Sequence, residues 1–307
     1  RSYDGTIMNS NLQDSWEVIF NIFDSFARYT RKAAGGVPHL HIQDPLRQIF
    51  VNGKDYKVVQ RQKNLYIDPT TNQPTEKYAT FGRNIYSYLR NLYQGINSSY
   101  SVSYANWIKG YDSNSDKFNW FGPSAYEAAL YARNDFNQYP WTSPLGVNNG
   151  QLANVNDLAI NPNQRELDLI SRISLNPVVR FPEGILNWNS TTLIKDSTAL
   201  KEISIRRGAL WLAKSIQSNL VQFIGEPNTI TTRTRIVNTL KPILDFMKDN
   251  NGIYDYMLVC DERNNTSASI DQGVLNVAVY IKPTRPVKFI LVDLVITGTG
   301  VNFNELI

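Results

Sequence analysis

Between Val287 and Thr297 the chain carries a strand-like run that is apolar on both faces. Ile290, Val292, Leu294 and Ile296 alternate with Phe289, Leu291 and Val295, and from Phe289 to Ile296 only Asp293 interrupts the pattern. Successive side chains of a strand point to opposite faces, so such a run needs cover on both sides. It is also the longest apolar run in the sequence, and it falls short of the roughly 18 residues that a membrane-crossing helix needs. The segments upstream have the spacing to provide cover. From about Arg207 to Val221, Leu210, Ala213, Ile216 and Leu220 recur on one helical face. From about Thr231 to Lys248, Ile236, Leu240, Ile243 and Met247 do the same, with Pro242 expected to kink that helix. Two strands, Tyr254 to Cys260 and Val274 to Ile281, precede the last one. Residues 201–307 therefore predict a C-terminal domain of two helices packed on a small mixed β-sheet.

The rest of the chain predicts a mixed α+β and α/β, multi-domain protein, since 307 residues make one large domain or two to three small ones. Residues 1–95 read as a mixed helix and strand segment. Asp14 and Glu17 fit a capping box before Trp16, Ile19, Phe20, Phe23 and Phe26, and Gly35, Gly36 and Pro38 end that helix. Strand-like pattern runs from Ile49 to Ile67 with a turn at Asn52-Gly53, then a loop from Asp68 to Pro74, then a helix marked by Ile85, Leu89 and Leu92. Residues 96–200 read as α/β. Tyr100, Val102 and Tyr104 alternate with Ser101 and Ser103, which predicts a half-buried strand. Asp112 to Asp116 is a polar turn, and Pro123 opens a short helix with Tyr126 and Leu130. Trp141 to Gly150 is an irregular loop, and Asn161-Pro162 caps a helix holding Leu167, Ile170 and Ile173.

Composition narrows the function. The 42% hydrophobic and 12% aromatic content is enough for a real core. The net charge of +4 is spread along the chain, and the short cluster Arg28, Arg31, Lys32 does not make a nucleic-acid surface. Cys260 is the one cysteine, so an intrachain disulfide is impossible and a reducing compartment fits. The chain begins at Arg1 rather than Met, which leads us to expect a fragment or processed product of a longer protein.

No constellation assembles a convincing active site, metal centre or cofactor site. His39 and His41, with Asp44, lack zinc-type spacing and read as loop histidines. Asp112, Asn114 and Asp116 imitate a calcium loop, but Lys117 and Pro123 stand where glycine and glutamate belong. Gly298 and Gly300 precede no phosphate-binding helix. Cys260 reads as a buried structural cysteine, because a nucleophilic thiol needs a base or positive charge beside it. Asp261 and Glu262 read as turn and surface charge. Trp107, Trp120, Trp141 and Trp188 could form a sugar-stacking platform, although core and interface packing explains them more simply. A carbohydrate-binding module is the alternative they support, and a carboxylate-only hydrolase has no well-marked acid pair.

Several stretches, in order, resemble the contractile tail sheath proteins of large bacteriophages. They are Ile203-Ser204-Ile205-Arg206-Arg207, Gly225-Glu226-Pro227-Asn228, Val259 to Thr266, and Tyr280 to Ile290. Upstream, Gly122-Pro123-Ser124, Tyr131 to Asp135, Trp141 to Gly146 and Leu175 to Val178 are similar too. The likeness covers about 96–307 well and is limited in 1–95 to fragments such as Asp44 to Phe50. The chain departs from the family at Gly225 and at Asn189 after Trp188, which bears on local turns. The resemblance implies a structural subunit rather than an enzyme, and it makes the alternative raised by the tryptophans a carbohydrate-binding tail fibre or baseplate module. Sheath subunits stack in six-membered rings around a tail tube, tie to neighbours by donated strands, and contract to drive the tube through the host envelope. The implied partners are other sheath subunits, the tail tube protein, and baseplate and tail terminator proteins, with no nucleic acid, membrane insertion or cofactor. The implied location is the virion tail, assembled in the host cytoplasm.

Two expectations follow for residues. The strand from Val287, with Phe289, Leu291, Asp293 and Val295, is followed by a glycine hinge and a tail anchored by Phe303, Leu306 and Ile307, and is expected to add to a neighbour's sheet. The polar side of the helix from Thr231, with Arg235, Lys241, Asp245, Lys248 and Asp249, is expected to face the tube. A plain solvated face with a Lys241–Asp245 pair is the competing reading.

Overall fold

The computed structural model describes residues 18–25, 40–44, 89–90 and 93–287. These residues form a mixed α/β architecture of several helices and three sheets. At its centre lies β2 (Ser101–Ala105), paired in parallel with β1 (His41–Gln43) on one side and with β6 (Asn176–Phe181) on the other. β6 in turn pairs antiparallel with β7 (Gly184–Asn187).

The alternation of tyrosine, valine and serine around β2 predicts one wet face. Instead every residue of β2 is buried, and Tyr100 lies just outside the strand. The reason is that the serine face is covered by segments from far upstream, which supply polar partners as well as apolar bulk. Ser101 Oγ donates to Asp24 Oδ1 at 2.5 Å, and the Tyr93 hydroxyl bonds Ser103 Oγ at 2.6 Å. Phe20, Leu89 and Tyr93 fill the same side. Val102 and Tyr104 enter a second cluster with Ile108, Leu130, Val178 and Ile203. A buried hydroxyl that keeps its hydrogen bonds carries little penalty, so serine here signals small size rather than exposure.

β3 (Ile108–Asp112) and β4 (Lys117–Phe121) form an antiparallel hairpin across the predicted polar turn, and β5 (Asp157–Leu158) pairs with the start of β3. The Asp112 carboxylate accepts from the Asn114 N–H, the Ser115 hydroxyl and the Asn119 amide. Turn donors therefore saturate it. The helix α1 (Pro123–Asn137) starts at Pro123 as expected, and is longer than the short helix the sequence indicates. Inside the stretch expected to be irregular, α2 (Gly146–Asn149) makes one turn. The next helix, α3 (Gln164–Arg172), is capped by Asn163 and not by Asn161. Asn163 Oδ1 accepts from the Glu166 N–H while the Glu166 carboxylate accepts from the Asn163 N–H. This reciprocal box satisfies two helix-end donors and outweighs the first-turn preference of Pro162.

The helix α4 (Ile203–Leu220) begins earlier than its apolar spacing indicates, because its first turns run into the middle of the protein. Residues 203–208 are all buried, Leu212 is buried, and Ala213 is exposed, contrary to its predicted inward position. Ile216 and Leu220 pack beside α5 (Ile230–Asp249), whose Ile236, Leu240, Leu244 and Met247 are buried. α5 runs unbroken through Pro242. Pro242 and Asn238, whose carbonyl loses its helical donor there, are both exposed, so water can serve that carbonyl.

β8 (Ile253–Val259) and β9 (Ala278–Pro283) pair antiparallel, with an irregularity between Ile253 and Asp255. The second strand starts at Ala278 rather than at Val274, because α6 (Ser267–Asp271) and a knot of asparagines occupy the connection. The predicted strand from Val287 falls outside the described residues beyond its first, exposed position. So do Trp16, Phe26, Ile85, Leu92 and the strand-like pattern from Ile49 to Ile67.

Candidate assembly surface

The first turns of α4 lock the two-helix and hairpin unit onto the rest of the molecule. Arg206 Nε donates to the Ser99 carbonyl at 3.0 Å, and its guanidinium lies 3.8 Å over the Tyr100 ring. Arg207 sits 4.4 Å over the Tyr131 ring and pairs with Asp135 at 2.5 Å. Both arginines are almost fully buried. A planar guanidinium can stack on an aromatic face while its edge donates, which lysine cannot do. Hence this Arg-Arg pair is a joint.

A second joint closes the loop between β8 and β9. The Asn265 amide donates to the Asp261 and Asn276 carbonyls, and its oxygen accepts from the Asn276 N–H. Asn264 donates to the Val259 and Asn276 carbonyls and accepts from the Asp261 N–H. Asn228 reaches the Val274 carbonyl and is held by Arg233 Nε at 2.8 Å. An amide offers two donors and one acceptor group in one plane, so it can stand in for a strand neighbour in an irregular loop. Gly225 takes φ of +94°, in the left-handed region that favours glycine.

The hairpin itself has one covered face. Tyr256, Leu258, Val279 and Ile281 point to the helices. On the opposite face, Tyr254 is 68% exposed, Met257 54% and Tyr280 58%. Among the described residues this sheet has two strands, so its outer edges are without a strand neighbour.

The residues expected to face a tube lie on the outer side of α5. Lys241 and Asp249 are exposed. Arg235 makes a two-point pair with Glu226 at 2.8 and 2.9 Å. Lys248 donates to Asp255 on β8 at 2.9 Å, and this contact raises the lysine pKa and lowers that of the aspartate. Asp245 accepts from the Tyr256 hydroxyl at 2.5 Å, and Tyr256 is pushed up to about 12 by burial and by that hydrogen bond. Part of the polar face thus braces the hairpin against the helix. Beside it a groove between α4 and α5 is lined by Trp211, Ser215, Pro242 and Phe246. Sequence reasoning missed it, because Trp211 and Phe246 sit off the apolar stripes of their helices.

The residues expected to add a strand to a neighbour, Phe289, Leu291, Asp293, Val295, Phe303 and Leu306, lie outside the described residues. His41 sits on β1, bonded to Gln43, and burial lowers its pKa. Cys260 is buried just past β8, and burial pushes its thiol up. The tryptophans do not form one platform. Trp141 is buried, stacked on Tyr139, and donates to the Asn250 carbonyl at 2.9 Å. Trp107 and Trp120 pack against the cluster around Phe20, and Trp188 stacks on Phe181.

This fold is the one found in contractile injection systems. It superposes on a chain of the anti-feeding prophage baseplate in the contracted state with a TM-score of 0.62 at 19% identity, covering 89% of this chain and 76% of that one. On the anti-feeding prophage helical sheath in the contracted state the TM-score is 0.58 at 19% identity, covering 73% and 68%. Residues 195–297 match the family of the phage tail sheath C-terminal domain. The chain is 32% identical over 213 residues, 69% of its length, to the tail sheath protein of Vibrio phage KVP40. It is 32% identical over 212 residues to the tail sheath protein of Enterobacteria phage T4. The resemblance carried by the quoted motifs therefore holds, and this chain is a relative of phage tail sheath proteins. It spans about a third of the length of these two curated relatives, 32% of each.

Proposed function

We propose that this chain is a structural subunit of a contractile phage tail sheath, or a part of one, without enzymatic activity. It polymerises around a tail tube and contracts to drive the tube through the host envelope. The observation that carries this reading is the 32% identity to tail sheath proteins over more than two thirds of the chain. Its partners are copies of itself, the tail tube protein, the baseplate and the tail terminator. Its place is the virion tail, after assembly in the host cytoplasm.

The device needs contacts that repeat head to tail, which generate open helical assemblies, and links that survive a change of packing. The hairpin β8–β9 offers backbone edges for such links, and main-chain hydrogen bonds make them tolerant of rotation. The segment 287–307 is the donor, with Phe289, Leu291 and Val295 seated against the receiving sheet, Asp293 at its edge, and Phe303 and Leu306 as end anchors. The outer side of α5 meets the tube through Arg235, Lys241, Asp245, Lys248 and Asp249. Mixed, exposed charge suits a contact that forms and then releases. Residues 1–95, 96–200 and 201–307 act as an outer or inserted part, a middle part and the core part respectively.

Electron microscopy of the concentrated protein tests the proposal. Hollow tubes like a contracted sheath are expected, and a folded chain that neither self-associates nor binds tail tube protein would overturn it. Removing residues 298–307 should abolish tube formation while leaving the monomer folded. Unchanged assembly after that truncation would rule out the tail as the link. Lys241→Glu with Lys248→Glu should loosen association with a tube protein.

A further inference from the structure

Glu127, on α1, is fully buried, and so is Asn187, at the end of β7. Asn187 Nδ2 donates to Glu127 Oε2 at 2.8 Å and more weakly to the Pro144 carbonyl at 3.4 Å. The two remaining oxygens of this pair, Glu127 Oε1 and Asn187 Oδ1, have no hydrogen-bond partner among the described residues. Turning the amide over would not help, because it would aim an oxygen at two acceptors that now receive hydrogen bonds.

An ionised carboxylate in this place would be a buried charge held by the Asn187 amide and the Tyr104 hydroxyl, with acceptor oxygens left bare on both partners. That arrangement is costly. A single proton removes every difficulty at once. A carboxyl group and a primary amide are both planar, and joined along one edge they leave the second edge ready for an O–H to meet a C=O. We propose that Glu127 and Asn187 form a neutral acid–amide ring, in which Glu127 Oε1–H donates to Asn187 Oδ1, and that loss of this proton in mild alkali loosens the seam between α1 and β7.

Hydrogen bonds from Asn187 and from the Tyr104 hydroxyl of β2, which is also 2.6 Å from the hydroxyl of Tyr131 on α1, favour the ionised form, and burial outweighs both. Burial pushes both phenols up, so neither adds charge. The nearby cation, Arg207 of α4, lies over the Tyr131 ring and is engaged by Asp135 of α1. Burial, the largest influence, pushes Glu127 up from 4.5 to about 8. The folded chain therefore keeps this proton where the unfolded chain has lost it. The contribution to stability is full below the unfolded value, declines as pH rises between about 4.5 and 8, and levels off above.

Denaturant unfolding across this window, comparing the 307-residue chain with Glu127→Gln, tests the ring. Glutamine can donate to Asn187 Oδ1 and accept from Nδ2 without a proton to lose. The wild-type midpoint should fall more steeply with pH than that of E127Q, and the variant should be the more stable of the two at about pH 8. Parallel profiles, or a variant less stable throughout, would overturn the ring. Infrared spectra of wild-type protein carrying 13C-labelled glutamate give an answer that does not depend on the variant folding. A label-shifted carboxylic-acid C=O band should be present at about pH 6.5 and disappear in alkali. Its absence at about pH 6.5 would also overturn the proposal.

Discussion

β2 and β8 are both strands of a five- to seven-residue scale, and they solve opposite problems. β2 has a strand on each side, cover on both faces and a partner for each buried hydroxyl. β8 has one strand neighbour among the described residues, one covered face, and tyrosine and methionine turned outward. The comparison teaches where this molecule is finished. Around β2 the buried hydroxyls are spent internally, whereas among the described residues the hairpin keeps backbone edges and an apolar face uncovered.

The largest effect is expected at the finished end of that comparison. Asn176 is fully buried and bonds the carbonyls of Ser103 and Thr191 and the N–H of Thr191. Asn176→Ala leaves these groups bare and should destabilise the chain by about 4 kcal/mol in urea unfolding. Leu240→Ala, on the covered side of the hairpin unit, should lose about 3 kcal/mol by the same measurement. If that loss were negligible, the helices would not be supporting the hairpin and the contrast would need redrawing. Tyr254→Ser with Tyr280→Ser should leave monomer stability within about 0.5 kcal/mol per site. The same double change should weaken self-association in sedimentation, and a stability loss as large as that of Asn176→Ala would break the comparison. The smallest effect is expected for Lys248→Ala, whose exposed pair with Asp255 should be worth no resolvable shift in the unfolding midpoint at physiological salt.

Much of the fold was legible wherever a local rule had no competitor. α5 was read within a residue of each end, because Ile236, Leu240 and Met247 keep helical spacing and Thr229 accepts from the Thr232 N–H at its start. Pro123 opened α1 as its fixed φ predicts. Reading failed where distant chain intervened. Ser101 and Ser103 looked wet until Asp24 and Tyr93 reached them. Ala213 looked inward because spacing alone cannot tell which face the neighbouring helix will cover. The buried pair of Glu127 and Asn187, sixty positions apart, left no trace in local pattern.

Local pattern sufficed to read a mixed α/β chain that resembles tail sheath proteins. Helical spacing, caps and motif order are local properties, written within a few residues of one another. Which polar groups are sealed inside, and which described surfaces stay uncovered, follows from long-range packing. Burial is a property of what packs from elsewhere in the chain, and a hydroxyl, an amide or a carboxyl is stable in the interior only if a distant segment brings it a partner.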